Sequence, residues 1–268
     1  MSIKIIISLI IFLFGVIGCG SSELVVSDLA ENITVDGNHE DWNGKLKFFE
    51  DEKVAIGFQN DQENLYFCLV TSDRQTAMKI MLLGLTVWFE PENDDQEIGL
   101  QYPIKMENVS PRSIMGNKSG KNDFYITINT IMQSQGEFSL IDGDDEIVYS
   151  SPVGSNDGYE LKVSGTNQQF VYEAKLPIGN NGSAQFPINI FPDEKIEIEI
   201  ETGKIDMSEM MGRGGMQPGM GMGKGGGMSG GGPGGGGGMR GDGKGGRAGG
   251  GSTFMEQLSL DIELKLAK

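Results

Sequence analysis

The chain reads as an all-β protein, a two-layer antiparallel β-sandwich. Three observations predict this class. Apolar and polar residues alternate along Phe170–Pro177, Lys195–Thr202 and Leu258–Leu266, the period-two spacing of strands with a buried face. Runs rich in β-branched and aromatic residues recur at short intervals between clusters of Asn, Asp, Gly and Pro. Helix-forming stretches are scarce: Arg74–Leu83 (RQTAMKIMLL) has the composition of one short helix or a crossing segment. Many short strands with little helix bury their apolar faces most simply by stacking two sheets.

Taken in order, Ile33 opens a short strand that ends in the Asp36-Gly37 turn, with Trp42 following as a large apolar anchor. Val54–Phe58 and Leu65–Val70 form a hairpin around the polar reversal Asn60–Asn64. Gly84–Glu90 is a strand stopped by Pro91, and Ile98–Ile104 returns beside it. Met106–Asn122 is polar and irregular, a loop. Strands are then expected at Phe124–Met132, Phe138–Ile141, Ile147–Tyr149, Tyr159–Ser164, Phe170–Pro177, Ile188–Phe191 and Lys195–Thr202. The closing strand is Phe254–Leu266, with Leu258, Leu260, Ile262, Leu264 and Leu266 on its buried face.

A strand ending in Asp36-Gly37, then Asp41-Trp42, then a hairpin carrying Asn64-Leu65-Tyr66 and closed by Asp73, resembles the opening of the family-9 carbohydrate-binding modules. These belong to the wider DOMON-like group of β-sandwiches. The strand around Glu173, an aromatic-Glu-x-Lys-x-Pro pattern, resembles a second feature of that family. The resemblance implies a sandwich of that kind and a carbohydrate ligand. It also implies that structural calcium occurs somewhere in such domains, and that some DOMON relatives hold haem between a methionine and a histidine. The one histidine here, His39, falls in the turn before Trp42 and is expected at the surface rather than on haem.

Met1–Gly18 reads as a targeting segment: Lys4 supplies the positive start, and the apolar run Ile5–Phe14 is short for a bilayer span. Val16-Ile17-Gly18-Cys19 resembles the lipobox of bacterial lipoproteins, which makes Cys19 the lipidated first mature residue; the alternative is an uncleaved N-terminal anchor. The expected organisation is a signal peptide at 1–18, a tether at 19–31 that lets the domain stand off the membrane, and a sandwich at 32–268 interrupted at 203–252. The expected address is the cell envelope, with the outer membrane preferred to the inner. Cys68, the other cysteine, has no partner for an internal disulfide and sits in an apolar strand, the setting of a small buried hydrophobe.

The net charge of −17 argues against nucleic acid, whose phosphates such a surface repels. It suits solubility, divalent cations or neutral ligands. Against this background Gly212–Gly251 is locally positive, with Arg213, Lys224, Arg240, Lys244 and Arg247 among glycine runs, and only Asp242 acidic. Glycine at that density costs too much backbone entropy to order without a core, so the segment is expected as a disordered excursion before the last strand. Met216, Met220 and Met222 place thioethers at spacings that Cu(I) accepts, but neighbouring cations oppose it and no cysteine or histidine assists. Gly223-Lys224-Gly225 is not a phosphate loop, since the strand-loop-helix context and the Gly-Lys-Ser/Thr ending are missing.

No histidine-based nucleophile is nominated by the sequence, and the many carboxylates give no defined pair. Glu173 is expected to point outward and pair with Lys175 or a neighbouring strand. A hard cation could be held in the turn Asp142-Gly143-Asp144-Asp145-Glu146 by Asp142, Asp144, Asp145 and Glu146, although Asp-Gly is also ordinary turn chemistry. Sugar binding needs aromatic faces with polar groups around them. Tyr66 and Tyr102 are the candidates, with Trp88 as a third whose apolar strand favours the core, and Trp42 is expected as a core plug. The sequence therefore points to a non-enzymatic, membrane-anchored binding lipoprotein with a glycan as ligand. The alternative is a structural lipoprotein whose glycine-methionine loop contacts another envelope protein, and the third reading is soft-metal binding by that loop.

Overall fold

The computed structural model describes residues 23–92, 96–106, 121–179, 186–190, 194–204 and 256–268. The expected signal peptide, Cys19, most of the loop before Asn122 and the glycine-methionine stretch with Met216, Met220 and Met222 lie outside the described residues.

The elements run β1 (Glu23–Val26), β2 (Asp28–Leu29), a 3-10 turn (His39–Trp42), β3 (Lys47–Phe49), β4 (Val54–Asn60), β5 (Asn64–Thr71), α1 (Arg74–Leu83), β6 (Leu85–Pro91), β7 (Ile98–Gln101), α2 (Lys121–Met132), β8 (Glu137–Asp142), β9 (Ile147–Pro152), β10 (Glu160–Thr166), β11 (Gln169–Pro177), β12 (Lys195–Thr202) and β13 (Ser259–Lys265). They make two sheets. One has the order β1-β13-β12-β6-β7-β8-β9; the other runs β10-β11-β5-β4-β2, with β3 also against β4. Phe58, Phe67, Phe170 and Tyr172 of the second sheet and Val87, Phe89, Ile198 and Leu264 of the first are buried. The protein is thus the all-β sandwich that the alternation predicts, and the closing strand pairs with β12 from Ser259 to Lys265. Its arrival is direct: Thr202 N–H donates to Leu258 O (3.1 Å) and Leu258 N–H to Thr202 Oγ1 (3.2 Å), so the chain leaves and rejoins the sheet at one place.

Four expectations are corrected. First, the tether is partly strand: β1 joins β13 and β2 joins β4, both in parallel, and among the paired strands described these are the exceptions to the antiparallel pattern. Ser27 makes the crossing between sheets. Its N–H donates to Lys265 O (3.0 Å) and its hydroxyl to Asn60 Oδ1 (2.5 Å), which satisfies a polar knot too buried for water. Second, Ile33 starts no strand; the stretch to Trp42 is irregular and ends in the 3-10 turn. Third, the strand expected at Ile188–Phe191 reduces, among its described residues, to a bridge from Ile188 to Ile178, and Phe191 lies outside them. Fourth, Phe124–Met132 is helix, not strand. Phe124, Ile128 and Met132 are buried while Ile126 and Thr130 are exposed, a spacing of four rather than two. The β-branched and aromatic content of this stretch had favoured strand, but that preference yields to packing context.

Candidate functional site

Helix α2 and the β10–β11 hairpin build a recess at one end of the sandwich. The helix is held against the edge strand β10 by a paired amide: Asn129 Nδ2 donates to Gly165 O (2.9 Å) and Gly165 N–H donates to Asn129 Oδ1 (2.7 Å). That side chain stands where another strand would pair, which caps the edge. Close approach requires glycine, since a Cβ at Gly165 would sit 2.6 Å from Tyr125 O. The hairpin then turns in two residues, Asn167 (φ 48°) and Gln168 (φ 62°), between the paired Thr166 and Gln169. Left-handed backbone at both positions is the two-residue turn that matches strand twist, and it aims two amide side chains outward from the tip. Gln168 adopts this conformation at a cost of about 1–2 kcal/mol.

Ser72, Arg74, Phe124, Tyr125, Asn167, Gln168 and Gln169 line a cavity of 340 Å³ here. Tyr125, Asn167 and Gln168, with Ile126 and Gly165, also line an adjoining, more open hollow of 530 Å³. The Arg74 guanidinium lies 4.5 Å from the centre of the Phe124 ring, a cation–π contact that sets the cation over the aromatic floor. Burial raises the Tyr125 phenol above its ordinary value, with Arg74 pulling it down and Asp73 pushing it up, so at neutral pH it offers a neutral hydroxyl.

The signature stretch does something else. On the outer face of the second sheet, Trp42 packs with Tyr66, Cys68, Val70 and Val171, and Ala30, Ile33, Leu46 and Ala55 close over them. Glu173 lies in this second core with no solvent exposure. Its Oε2 accepts from Gly37 N–H (2.6 Å) and Asp36 N–H (3.1 Å), and its Oε1 from Trp42 Nε1 (2.8 Å). The expectation of an outward Glu173 paired with Lys175 is therefore overturned: Lys175 pairs with Glu160 at 2.7 Å instead. Burial raises the Glu173 carboxyl, and the hydrogen bonds from Trp42 and Gly37 partly restore it. Its three hydrogen-bond partners are all donors, which suits a carboxylate, while the nearby Asp36 carboxylate pushes the other way. Asp36, Gly37 and Trp42 are thus a latch that holds residues 36–42 on the sheet. Asp41 accepts from Thr34 N–H at 3.1 Å and fixes the approach to it.

The remaining expected site residues are structural in position. Tyr66 is buried and donates to Asp61 Oδ2 (3.0 Å), the carboxylate that also accepts from the N–H groups of Glu63 and Asn64 in the hairpin reversal. Leu65 faces the inter-sheet core. Tyr102 is buried beside Tyr172, and burial pushes its phenol up to about 12. Trp88 lies flat over Gly99, where a Cβ would come within 2.7 Å of its ring, and donates to Glu201 Oε1 (3.0 Å). None of the three presents an aromatic face to solvent, because each ring is consumed by packing. Asp142 Oδ1 accepts from Asp144 N–H (3.1 Å) and Glu146 N–H (3.0 Å), the Asx turn of a hairpin. Among the described residues no group of three or more Asp, Glu, His or Cys is placed to hold a metal, so Asp142, Asp144, Asp145 and Glu146 do not converge on one. His39 is half-buried in the 3-10 turn.

The recess residues were missed in the sequence. The available signal was a two-residue gap of polar amides, Asn167-Gln168, between two alternating runs.

The fold and the recess define a two-layer β-sandwich with a hollow at one end lined by amides, hydroxyls and Arg74. No family model matches the chain, and no curated protein matches it. Among solved structures it is similar to a family-9 carbohydrate-binding module from Caldicellulosiruptor kristjanssonii in complex with glucose, at 8% identity and a TM-score of 0.35, over 69% of this chain and 81% of that one. It is also similar to a candidate carbohydrate-binding protein from Bacteroides uniformis, at 8% identity and a TM-score of 0.35, over 68% of this chain and 84% of that one.

Proposed function

We propose that this is a non-catalytic binding lipoprotein of the cell envelope, anchored through Cys19, that holds a glycan in the recess at the β10–β11 turn. The observation that carries the reading is the chemistry of the lining. Asn167, Gln168 and Gln169 bring amides that both donate and accept, Ser72 and Tyr125 bring hydroxyls, and the Arg74 guanidinium lies over the buried Phe124 ring. Sugar hydroxyls ask for two-way hydrogen bonding of this kind. A cavity of 340 Å³ lies within the range of small-ligand sites, roughly 300–1,000 Å³. The Arg74 guanidinium in the lining disfavours a cation as ligand. A carbohydrate ligand is also what the family-9 resemblance implies.

The test is calorimetric titration of the mature chain with glycans selected from an array, repeated on Gln168→Ala and Tyr125→Ala. Loss of the hydrogen bonds of one amide weakens binding by about tenfold. Binding that is indifferent to both changes, or absent across neutral glycans, refutes the proposal.

A further inference from the structure

The recess carries a charge as well as hydrogen-bonding groups, and that charge has a sign. Among the described residues of its lining the charged one is Arg74, beside Ser72, Tyr125 and the amides of Asn167, Gln168 and Gln169. Arg74 is the first residue of α1, placed there by the Asp73 cap, whose Oδ1 accepts from Thr76 N–H (2.9 Å). Its guanidinium lies 4.5 Å from the centre of the Phe124 ring, and that ring is buried, so the contact joins α1 to α2. Contact with a ring uses the charge and consumes none of the N–H donors, so one guanidinium can serve its protein neighbours and a ligand together.

Two sets of acids oppose an anion here, one near and one far. Asp73 is near enough to act on the Tyr125 phenol. It is already engaged: Oδ1 accepts from the Thr76 hydroxyl (3.0 Å) as well as the Thr76 N–H, and Oδ2 lies 3.7 Å from Lys53 Nζ. Its charge is met by that lysine and by the first turn of α1, which leaves the charge of Arg74 to the recess. The far set includes Glu197, Glu199, Glu201 and Asp261, which stand on the seven-stranded sheet, whereas the recess is built on the other. Stacked sheets lie about 10 Å apart, and exposed charges are screened over about 8 Å at physiological ionic strength. A group seated on Arg74 therefore feels the guanidinium more strongly than those carboxylates.

We infer that the cavity takes an anionic sugar unit, whose carboxylate or sulfate oxygens pair with the Arg74 guanidinium while the amides of Asn167 and Gln168 bind its ring hydroxyls. This rests on the reading of the recess as a glycan site. The guanidinium is a planar fork that matches two oxygens of one anionic group at once, a match that a single sugar hydroxyl does not offer. Hydrogen bonds of that charged kind are roughly twice as strong as neutral ones. The adjoining hollow of 530 Å³, which shares Tyr125, Asn167 and Gln168 with the cavity, has room for the rest of the chain. Arg74 thus selects among glycans by charge, and the amides hold whichever sugar enters.

The test titrates the full mature chain with matched oligosaccharide pairs, one member anionic and one neutral. The pairs are α-1,4-galacturonic acid oligomers and their methyl esters, xylan oligomers with and without a glucuronic acid branch, and galactan oligomers with and without sulfate esters. Within a pair that binds, the anionic member is expected to bind about tenfold tighter or more, and Arg74→Gln should bring it down to the affinity of the neutral member. Arg74→Lys should keep a smaller preference, since a point charge replaces the fork. The neutral member is the control for folding, because Arg74→Gln must still bind it. Gln168→Ala should weaken both members alike, which separates the hydrogen bonds from the charge. A preference confined to the uronate pairs identifies a carboxylate, and one confined to the galactan pair a sulfate ester. Equal affinity for both members, or a preference that survives Arg74→Gln, overturns the inference and leaves the glycan reading standing. A chain that binds neither member of any pair sinks that reading, and the inference with it.

Discussion

Exchanging Glu173 for glutamine separates the latch from simple packing. The side chains are isosteric, yet one carboxylate oxygen becomes an NH₂ in a site where three N–H groups already point inward. If the remaining oxygen serves Gly37 and Asp36, the Trp42 indole loses its acceptor and faces another donor. A hydrogen bond to a charged group contributes about 1.5–3 kcal/mol, and a buried donor left without a partner costs about 1–3 kcal/mol. Allowing for overlap between these terms, Glu173→Gln is expected to destabilise the fold by about 2–4 kcal/mol. Urea unfolding at neutral pH should show a lower midpoint with an unchanged slope. In a double-mutant cycle with Trp42→Phe, the coupling should be about 1.5–3 kcal/mol. Cys68 gives an independent readout, because it lies beneath the latch with a thiol that burial, and then the Glu173 charge, holds well above the ordinary cysteine value. Lifting residues 36–42 exposes it, so its reaction with a disulfide reagent should accelerate by about thirtyfold or more, at tenfold per 1.4 kcal/mol. A cost below about 0.5 kcal/mol with no gain in thiol reactivity would refute the latch.

Other consequences can be measured in the same way. Gln168→Gly puts Asn-Gly in the two-residue turn and should stabilise the chain by about 1 kcal/mol, while glycan affinity falls because an amide leaves the recess; a change in which both rise would contradict the assigned role. Gly165→Ala forces a methyl group against Tyr125 O and should loosen α2, read as faster amide exchange at Asn129 and Ile128 with the β4–β5 hairpin unaffected. Replacing 204–256 by a short turn should leave the fold intact and raise stability by about 2 kcal/mol at most, the loop-closure gain where Thr202 and Leu258 already meet. Stability should also peak at mildly acid pH. Burial and neighbouring carboxylates raise Glu97 and Glu199 above the ordinary 4.5, so the folded chain holds those protons more tightly and unfolding becomes easier as pH rises through their folded values. Asp61 and Asp157 act in the other direction. Burial would raise them, but hydrogen bonds, from Glu63 and Asn64 to Asp61 and from Ser151 and Ser155 to Asp157, bring them below 3.8. Their contribution is present above 3.8 and is lost as pH falls through the folded values, and Asp61→Asn should flatten that acid limb.

The amino-acid sequence by itself determined the sheets, because a buried face imposes a period of two that composition cannot hide: Tyr172, Ile198 and Leu264 all lie inward as their spacing requires. It also marked Asp36, Gly37, Trp42 and Glu173 as belonging together, but not how. Alternation placed Glu173 on the side that usually faces solvent, and only the chain folding back from Ile33 to Leu46 turned that side into a second core. Helix α2 shows the same limit, since aromatic and β-branched residues favour a strand until a neighbour selects every fourth side chain for burial. The recess could not be read at all. Its residues come from α1, α2, the segment before α1 and the β10–β11 turn, and what assembles them is the contact of Asn129 and Tyr125 with Gly165, a fit between surfaces far apart in the chain. Local pattern encodes which face of an element is apolar; which elements meet, and what lies in the gap between them, is settled by shape in three dimensions.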